Sequence, residues 1–447
     1  MRGKNKGKGL KKVRKPQPIA GPPNVSASFA EKSIASTSAS ELGIPRLVCS
    51  EIATIVFADT AEPSIVADIL AFIPMVSRAM YQLYDCIKID TVGMDQSWFT
   101  PLFTDPASFN CACMVVQSYF DEFLGRTRSR EAQRADQIRY AKTINTLQAR
   151  IASEDDNIRL SESTIMTVLG MLGHAYTSRD IETSNRHNSG LLQLVSMRGI
   201  ESLLHNTRLC VELIRCDLYH AIDNGSTPML LNPNNILWEL PSSVNPKSQT
   251  LQLKFYVKLH PELAAIWAAM FEFCTHINAA YRDKRLSITE EQFLQNMTSI
   301  MYRLVYLHFP LGSLDEAVRI GLIAFSSPVF LHWNRVELPD RQFNFKYRDS
   351  LITLDLEVAE VEPQEIMWLL MAAAISMAHE EDNLAWLIPW LNTTFQDCGI
   401  QTWDELKTSL DEVLWVGIVH DEVGKALFTT ASEWTTCEEP PALVRTM

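Results

Sequence analysis

The chain has 447 residues and sets 40 Lys and Arg against 53 Asp and Glu, a formal net charge of −13, with 47% hydrophobic residues. That composition excludes a uniformly basic nucleic-acid coat, and 17 Gly and 21 Pro are too few for a collagen-like or wholly disordered chain. A chain of this length can bury one large core or two or three smaller ones.

The charge is uneven. Residues 1–15 hold Arg2, Lys4, Lys6, Lys8, Lys11, Lys12, Arg14 and Lys15 with no acid, a charge of +8, which leaves 32 basic and 53 acidic residues, or −21, in the remainder. Such an arm repels itself and has no apolar face to bury, so it is expected to be disordered. Lys11, Lys12, Arg14 and Lys15 have the composition of a nuclear import signal. Pro-Gln-Pro, Gly-Pro-Pro and a Ser/Ala/Thr-rich stretch extend the tail to residue 45. No apolar run before Ala27 suggests a secretory start. The longest nearly apolar segment, Ile366–Ala378, falls short of the roughly 20 residues a spanning helix needs. A soluble, intracellular protein with no membrane partner is therefore expected.

From Ser64 the pattern turns helical, with Ile65, Ile69, Phe72, Ile73, Val76 and Met80 at three- and four-residue steps. The same period predicts helices over Asp105–Leu124, Glu131–Ile151, Ser161–Tyr176, Thr183–Met197, Glu201–Ile222, Pro261–Arg282, Thr289–His308, Asp315–Phe330, Pro363–Glu380, Asn383–Cys398 and Thr402–Ile418. Thr289 with Gln292, and Thr402 with Glu405, have the spacing of a capping box at a helix start. Asn224–Ser248 and Val336–Leu351 read as irregular connections, and only Leu251–Val257 and Phe343–Leu356 alternate as strands do. The expectation is an all-α protein of about a dozen helices: a basic tail over 1–45, one helical domain over 46–437 and a short C-terminal tail over 438–447.

Chemistry-bearing motifs are sparse. Nine cysteines show no Cys-x-x-Cys, and Cys111 and Cys113 have no second pair or nearby His, so small buried apolar residues are expected rather than a zinc site. Gly3–Lys8 has neither the spacing nor the Ser/Thr of a phosphate loop, and there is no Gly-x-Ser-x-Gly or His-Glu-x-x-His. The carboxylate runs Glu154-Asp155-Asp156-Asn157 and Glu380-Glu381-Asp382 lack a second carboxylate one turn on, as an isoprenoid cyclase would need to hold Mg²⁺. They read as solvated helix junctions. Seven basic residues between Arg126 and Arg150 are spread around a helix, so a solvated face is expected in preference to a phosphate contact. The expectation is therefore no enzyme, no metal and no cofactor, with a helical enzyme such as an isoprenoid cyclase as the alternative.

Four segments carry a likeness. They are Trp98-Phe-x-Pro101 with Asp105-Pro-Ala-x-Phe109; Ser163–Leu172 followed by His187-Asn-Ser-Gly190 and Arg198-Gly199; Leu213–Ala221, bearing Asp217, with Pro228 after it; and Trp368 with Ala372, then Trp403, Leu406, Lys407, Trp415, Asp421 and Gly424. In this order they resemble the fungal-specific transcription factor domain over roughly residues 60–430. The family's second Gly of Arg-Gly-Gly is Ile200 here, which leaves the helix-ending role to Gly199. The six-cysteine zinc cluster that precedes the domain in many members is also missing, since no cysteine comes before Cys49. The resemblance implies a nuclear regulator whose motif residues His187, Gly190, Arg198, Gly199 and Asp217 are structural. Its partners would be other transcription regulators or a second copy, with DNA touched only weakly, or indirectly, through the basic tail.

Overall fold

The structure, a computed structural model, describes residues 56–80, 83, 85–88, 96–231, 238–240, 255–283, 286–331, 341–354, 361–378 and 384–434. The basic tail, with its import-type residues Lys11, Lys12, Arg14 and Lys15, and the C-terminal tail lie outside these. The fold is all-α, in the order α1 Pro63–Met80, α2 Gln96–Thr104, α3 Pro106–Leu124, α4 Arg130–Ile151, α5 Glu162–Thr177, α6 Ile181–Arg198, α7 Thr207–Asn224, α8 Pro261–Arg282, α9 Glu290–Tyr306, α10 Leu314–Phe330, α11 Arg341–Ile352, α12 Pro363–Met377, α13 Leu387–Asp397, α14 Trp403–Val413 and α15 Gly417–Glu433, with one further turn at Asp156–Arg159. The described strands are two residues each, Ile87–Lys88 paired in parallel with Ile288–Thr289.

The helix starts follow from their caps. Both predicted capping boxes form, with the Thr289 and Thr402 hydroxyls accepting from the third residue of α9 and α14 while Gln292 and Glu405 reach back. Three expectations need correction. The strand-like Phe343–Leu356 and the loop over Val336–Leu351 give way to helix α11, because Phe343, Tyr347 and Leu351 recur at four-residue steps and are all buried. Glu201–Ile222 starts as a 3₁₀ turn, Ile200–Leu203, and the α-helix begins only after Asn206 accepts from the Leu209 N–H. Thr402–Ile418 breaks at Leu414, whose backbone is extended, and a further helix, α15, follows.

Helix α3 serves two cores at once. Phe109, Cys113, Val116 and Phe120 face Ile65, Ile69 and Phe72 of α1, while Cys111 and Met114 face the large cluster that holds every later helix pair together. The centre of that cluster is aromatic: Trp267 of α8 meets Trp368 of α12 edge-on at 4.9 Å, and Trp368 Nε1 donates to the Leu414 carbonyl at 2.8 Å. Helix α8 is long and apolar enough to cross a membrane by composition, unlike the shorter Ile366–Ala378 run. Here Leu263, Ile266, Trp267, Met270, Phe273 and Ile277 are buried in the core.

Helix α10 approaches α12 and α11 through Gly321. A Cβ there would meet Tyr347 Oη at 2.9 Å, Leu369 Cδ2 at 3.0 Å and Trp368 Cζ3 at 3.2 Å. Tyr347 cannot yield freely, since its hydroxyl donates to the Leu369 carbonyl at 2.7 Å. Gly321→Ala should therefore destabilise the protein by about 1–3 kcal/mol through overpacking, although Ala is favoured over Gly by roughly 1 kcal/mol in a helix. A thermal midpoint at or above that of the wild type would contradict this account of the contact.

Candidate functional site

A cleft of about 240 Å³ opens between α8 and the C-terminal end of α14. The α8 side is a stripe at helical spacing, Phe271, Cys274, Thr275, Asn278, Ala279 and Arg282, and the far side is Asp411, Leu414 and Trp415. Asn278 joins the two walls: its Nδ2 donates to the Trp415 carbonyl at 2.7 Å and its Oδ1 accepts from the Gly417 N–H at 3.2 Å. The Thr275 hydroxyl is taken up by the Phe271 carbonyl. Cys274 is buried, and desolvation, with a smaller push from Asp411, raises its thiol pKa, so it is a neutral floor residue rather than a nucleophile.

The charges at the mouth are two. Arg282 makes no hydrogen bond or ion pair among the described residues. Across from it, Asp411 lies 3.8 Å from Lys407. Burial and the neighbouring Asp421 raise the Asp411 pKa against the opposing pull of Lys407 and Arg282. Lys407 is committed elsewhere, to Asp421 at 2.8 Å, and the same carboxylate oxygen accepts from Trp415 Nε1 at 2.8 Å. Gly424 makes room for this group, since a Cβ there would meet both the Trp403 and Trp415 rings at 2.9 Å. Thus Trp403, Lys407, Trp415, Asp421 and Gly424, the end of the fourth resembling segment, form one packed group, of which Trp415 lines the cleft.

The other motif residues lie elsewhere and do not converge. Asn188 of α6 donates to the Cys216 carbonyl of α7 at 3.3 Å, so Asp217 lies level with the middle of α6, whereas Arg198 is the last residue of α6. Arg198 donates to the Leu160 carbonyl at 2.6 Å and to Ser202 Oγ at 3.0 Å. Gly199 ends α6 with φ 86°, a value that favours glycine, and its N–H caps the Val195 carbonyl. Gly190 faces open space. His187 is half-buried, and desolvation lowers its pKa. Asp217 is buried and accepts from the Met229 N–H at 2.8 Å, the Leu230 N–H at 2.9 Å and the Tyr302 hydroxyl at 2.6 Å, which fixes the loop after Pro228 onto α7 and α9.

The charged stretches are mostly spoken for. Asp105 caps α3 and is held by Arg150 through two bonds, at 2.7 and 3.0 Å, with Ser108 and Ser163 also donating. Burial alone would raise its pKa, but these donors lower it to about 2. Arg126 pairs with Asp68, Arg128 with Asp121 and Asp136, Arg139 with Glu62 and Asp136, and Lys142 with Asp59. Five of the seven basic residues from Arg126 to Arg150 are therefore paired with carboxylates of the fold, while Arg130, Arg134 and Lys142 stay exposed on a solvated face and Arg139 is buried. Asp155 caps the Asp156–Arg159 turn and Asp156 pairs with Arg159 at 2.5 Å, as suits a helix junction. Glu380-Glu381-Asp382 lies outside the described residues. Among the described residues no three His, Cys, Asp or Glu side chains gather as metal ligands, and Asp411 is the single carboxylate lining the cleft.

No family model, no curated protein and no solved structure matches the chain. The sequence reading missed Asn278, Arg282 and Asp411. Its one available signal was the polar series Thr275, Asn278, Arg282 at three- and four-residue steps, on a helix that also carries Glu262, Glu272 and His276.

Proposed function

We propose that the chain is a nuclear transcriptional regulator of the kind the fungal-specific transcription factor domain exemplifies, acting through its helical domain. The observation that carries this reading is the gathering of Trp403, Lys407, Trp415, Asp421 and Gly424 into one packed group. These residues resemble the end of that family's domain, and here they have mutual contacts that account for their spacing. Gly199 and Asp217 add to it, one ending a helix and the other holding the Pro228 loop. Its partners on this reading are other transcription regulators, or a second copy of the chain. DNA is reached only through the +8 arm, whose contact with phosphates is salt-sensitive and blind to sequence.

The test separates address from fold. Replacing Lys11, Lys12, Arg14 and Lys15 with Ala halves the arm's charge of +8 while changing no described contact. The tagged full-length variant should keep the wild-type thermal midpoint, move from nucleus to cytoplasm, and show a shallower salt dependence in any residual DNA binding. Chromatin occupancy mapped with and without the arm should fall in parallel. A variant that stays nuclear at wild-type intensity would remove the arm as the address.

A further inference from the structure

We propose that the cleft between α8 and α14 binds a small amphoteric molecule with an apolar body, its anionic group on Arg282 and its cationic or hydrogen-bond-donating group on Asp411. The inference rests on the regulatory reading for its purpose, as an effector site, but not for the binding itself. Four observations lead to it.

The cleft is small. Its volume of about 240 Å³ lies below the roughly 300–1,000 Å³ usual for drug-sized ligands, which limits the guest to the size of an amino acid or a comparable metabolite. Its wall is mixed, with Phe271, Ala279, Leu414 and Trp415 supplying the apolar part beside the neutral Cys274 thiol. Its uncharged polar groups have partners within the protein: Asn278 bonds the α14–α15 connection with both of its amide atoms, and the exposed Thr275 hydroxyl donates to the Phe271 carbonyl. Recognition therefore falls to the two charges at the mouth. A guanidinium with no ion pair among the described residues faces the carboxylate of Asp411, and Lys407, the nearest cation to that carboxylate, is held closer to Asp421 than to it. A guest carrying one charge of each sign satisfies both; a simple anion or a simple cation satisfies one and leaves the other as it was.

The consequence for regulation is mechanical. The guest would touch α8 on one side and the segment carrying Asp411, Leu414 and Trp415 on the other, and Trp415 leads directly to Asp421 and Lys407. Occupancy would therefore bias how α14 and α15 sit on α8, by as much as the guest prefers one arrangement over another.

The experiment uses the purified full chain and four probes: L-phenylalanine, with phenylacetate and phenethylamine as single-charge probes of the same aromatic body, and L-leucine, a smaller body that carries both charges. Binding is read by isothermal titration and by the change in tryptophan fluorescence. At least one of the amino acids should bind saturably, and at least tenfold more tightly than either single-charge probe. Arg282→Ala and Asp411→Asn should each weaken it at least tenfold with the thermal midpoint unchanged, since both side chains are at the surface. Absence of saturable binding by both amino acids overturns the proposal, and so does binding that neither substitution weakens. Because the readout is binding to purified protein, its failure leaves the nuclear reading standing, and a failure of nuclear import leaves the cleft standing.

Discussion

Asp217→Ala is expected to lower the unfolding free energy by about 2–4 kcal/mol, seen as a lower urea midpoint at an unchanged slope. The carboxylate serves three donors, the N–H groups of Met229 and Leu230 and the Tyr302 hydroxyl, and Ala offers an acceptor to none of them. Each donor left buried without a partner costs roughly 1–3 kcal/mol. The total stays below a simple sum because burying the carboxylate is itself unfavourable, and that burial raises its pKa despite the three donors. Tyr302→Phe isolates one arm: it removes a single bond, leaves both N–H groups served, and should cost about 1 kcal/mol. The loop after Pro228 has a second hold, since the Tyr306 hydroxyl lies 3.1 Å from the Pro228 carbonyl. The Asp217→Ala chain should therefore lose stability without releasing that loop altogether. A urea midpoint within error of wild type would mean that water, rather than Asp217, serves these groups.

Acid should weaken the protein through His420, by on the order of 4 kcal/mol between pH 6.5 and pH 3. The ring is fully buried, 4.5 Å from the Phe325 ring and 5.0 Å from that of Trp415, and its Nδ1 accepts from the Val416 N–H. Burial lowers its pKa from 6.5 to about 3, with Lys407 adding a smaller push in the same direction against a backbone contact at Phe325. The unfolded chain thus takes up a proton near pH 6.5 that the folded chain refuses until about pH 3. Stability is full above the first value and drains away as the pH falls toward the second. His420→Gln, which has no charge to gain, should lose about 3 kcal/mol less than wild type between pH 7 and pH 4.5. Desolvation lowers His174 and His187 as well, so the wild-type acid limb has several contributors, and only the difference between the two proteins reports on His420. Parallel limbs would show that the ring is reached by water.

The helices were legible wherever an apolar stripe met a cap, as at α9 and α14, because both signals are local in the chain. Helix α11 was not. Its Phe343, Phe345 and Tyr347 alternate over five residues as a strand would, and only the burial of Phe343, Tyr347 and Leu351 against α10 and α12 settles the period. The break at Leu414 was equally hidden, since it depends on Asn278 and Trp368, distant in sequence, claiming the carbonyls of Trp415 and Leu414. The cleft was the least legible feature of all. Arg282 and Asp411 sit far apart along the chain, with no spacing to mark them, whereas Gly199 and Asp217 were singled out only because they stand in segments that resemble a known family.

The two-faced character of α3 has a bearing on how the chain can be cut. A helix with one apolar face can lose its partner and still present a polar side to water. Helix α3 cannot, because removing α1 would bare Phe109, Cys113, Val116 and Phe120 as a continuous greasy seam while Cys111 and Met114 remain anchored in the large core. The first helices are thus a lid on a permanent fixture rather than a detachable module, and a shortened protein that begins beyond Met80 trades a disposable-looking terminus for a surface prone to self-association.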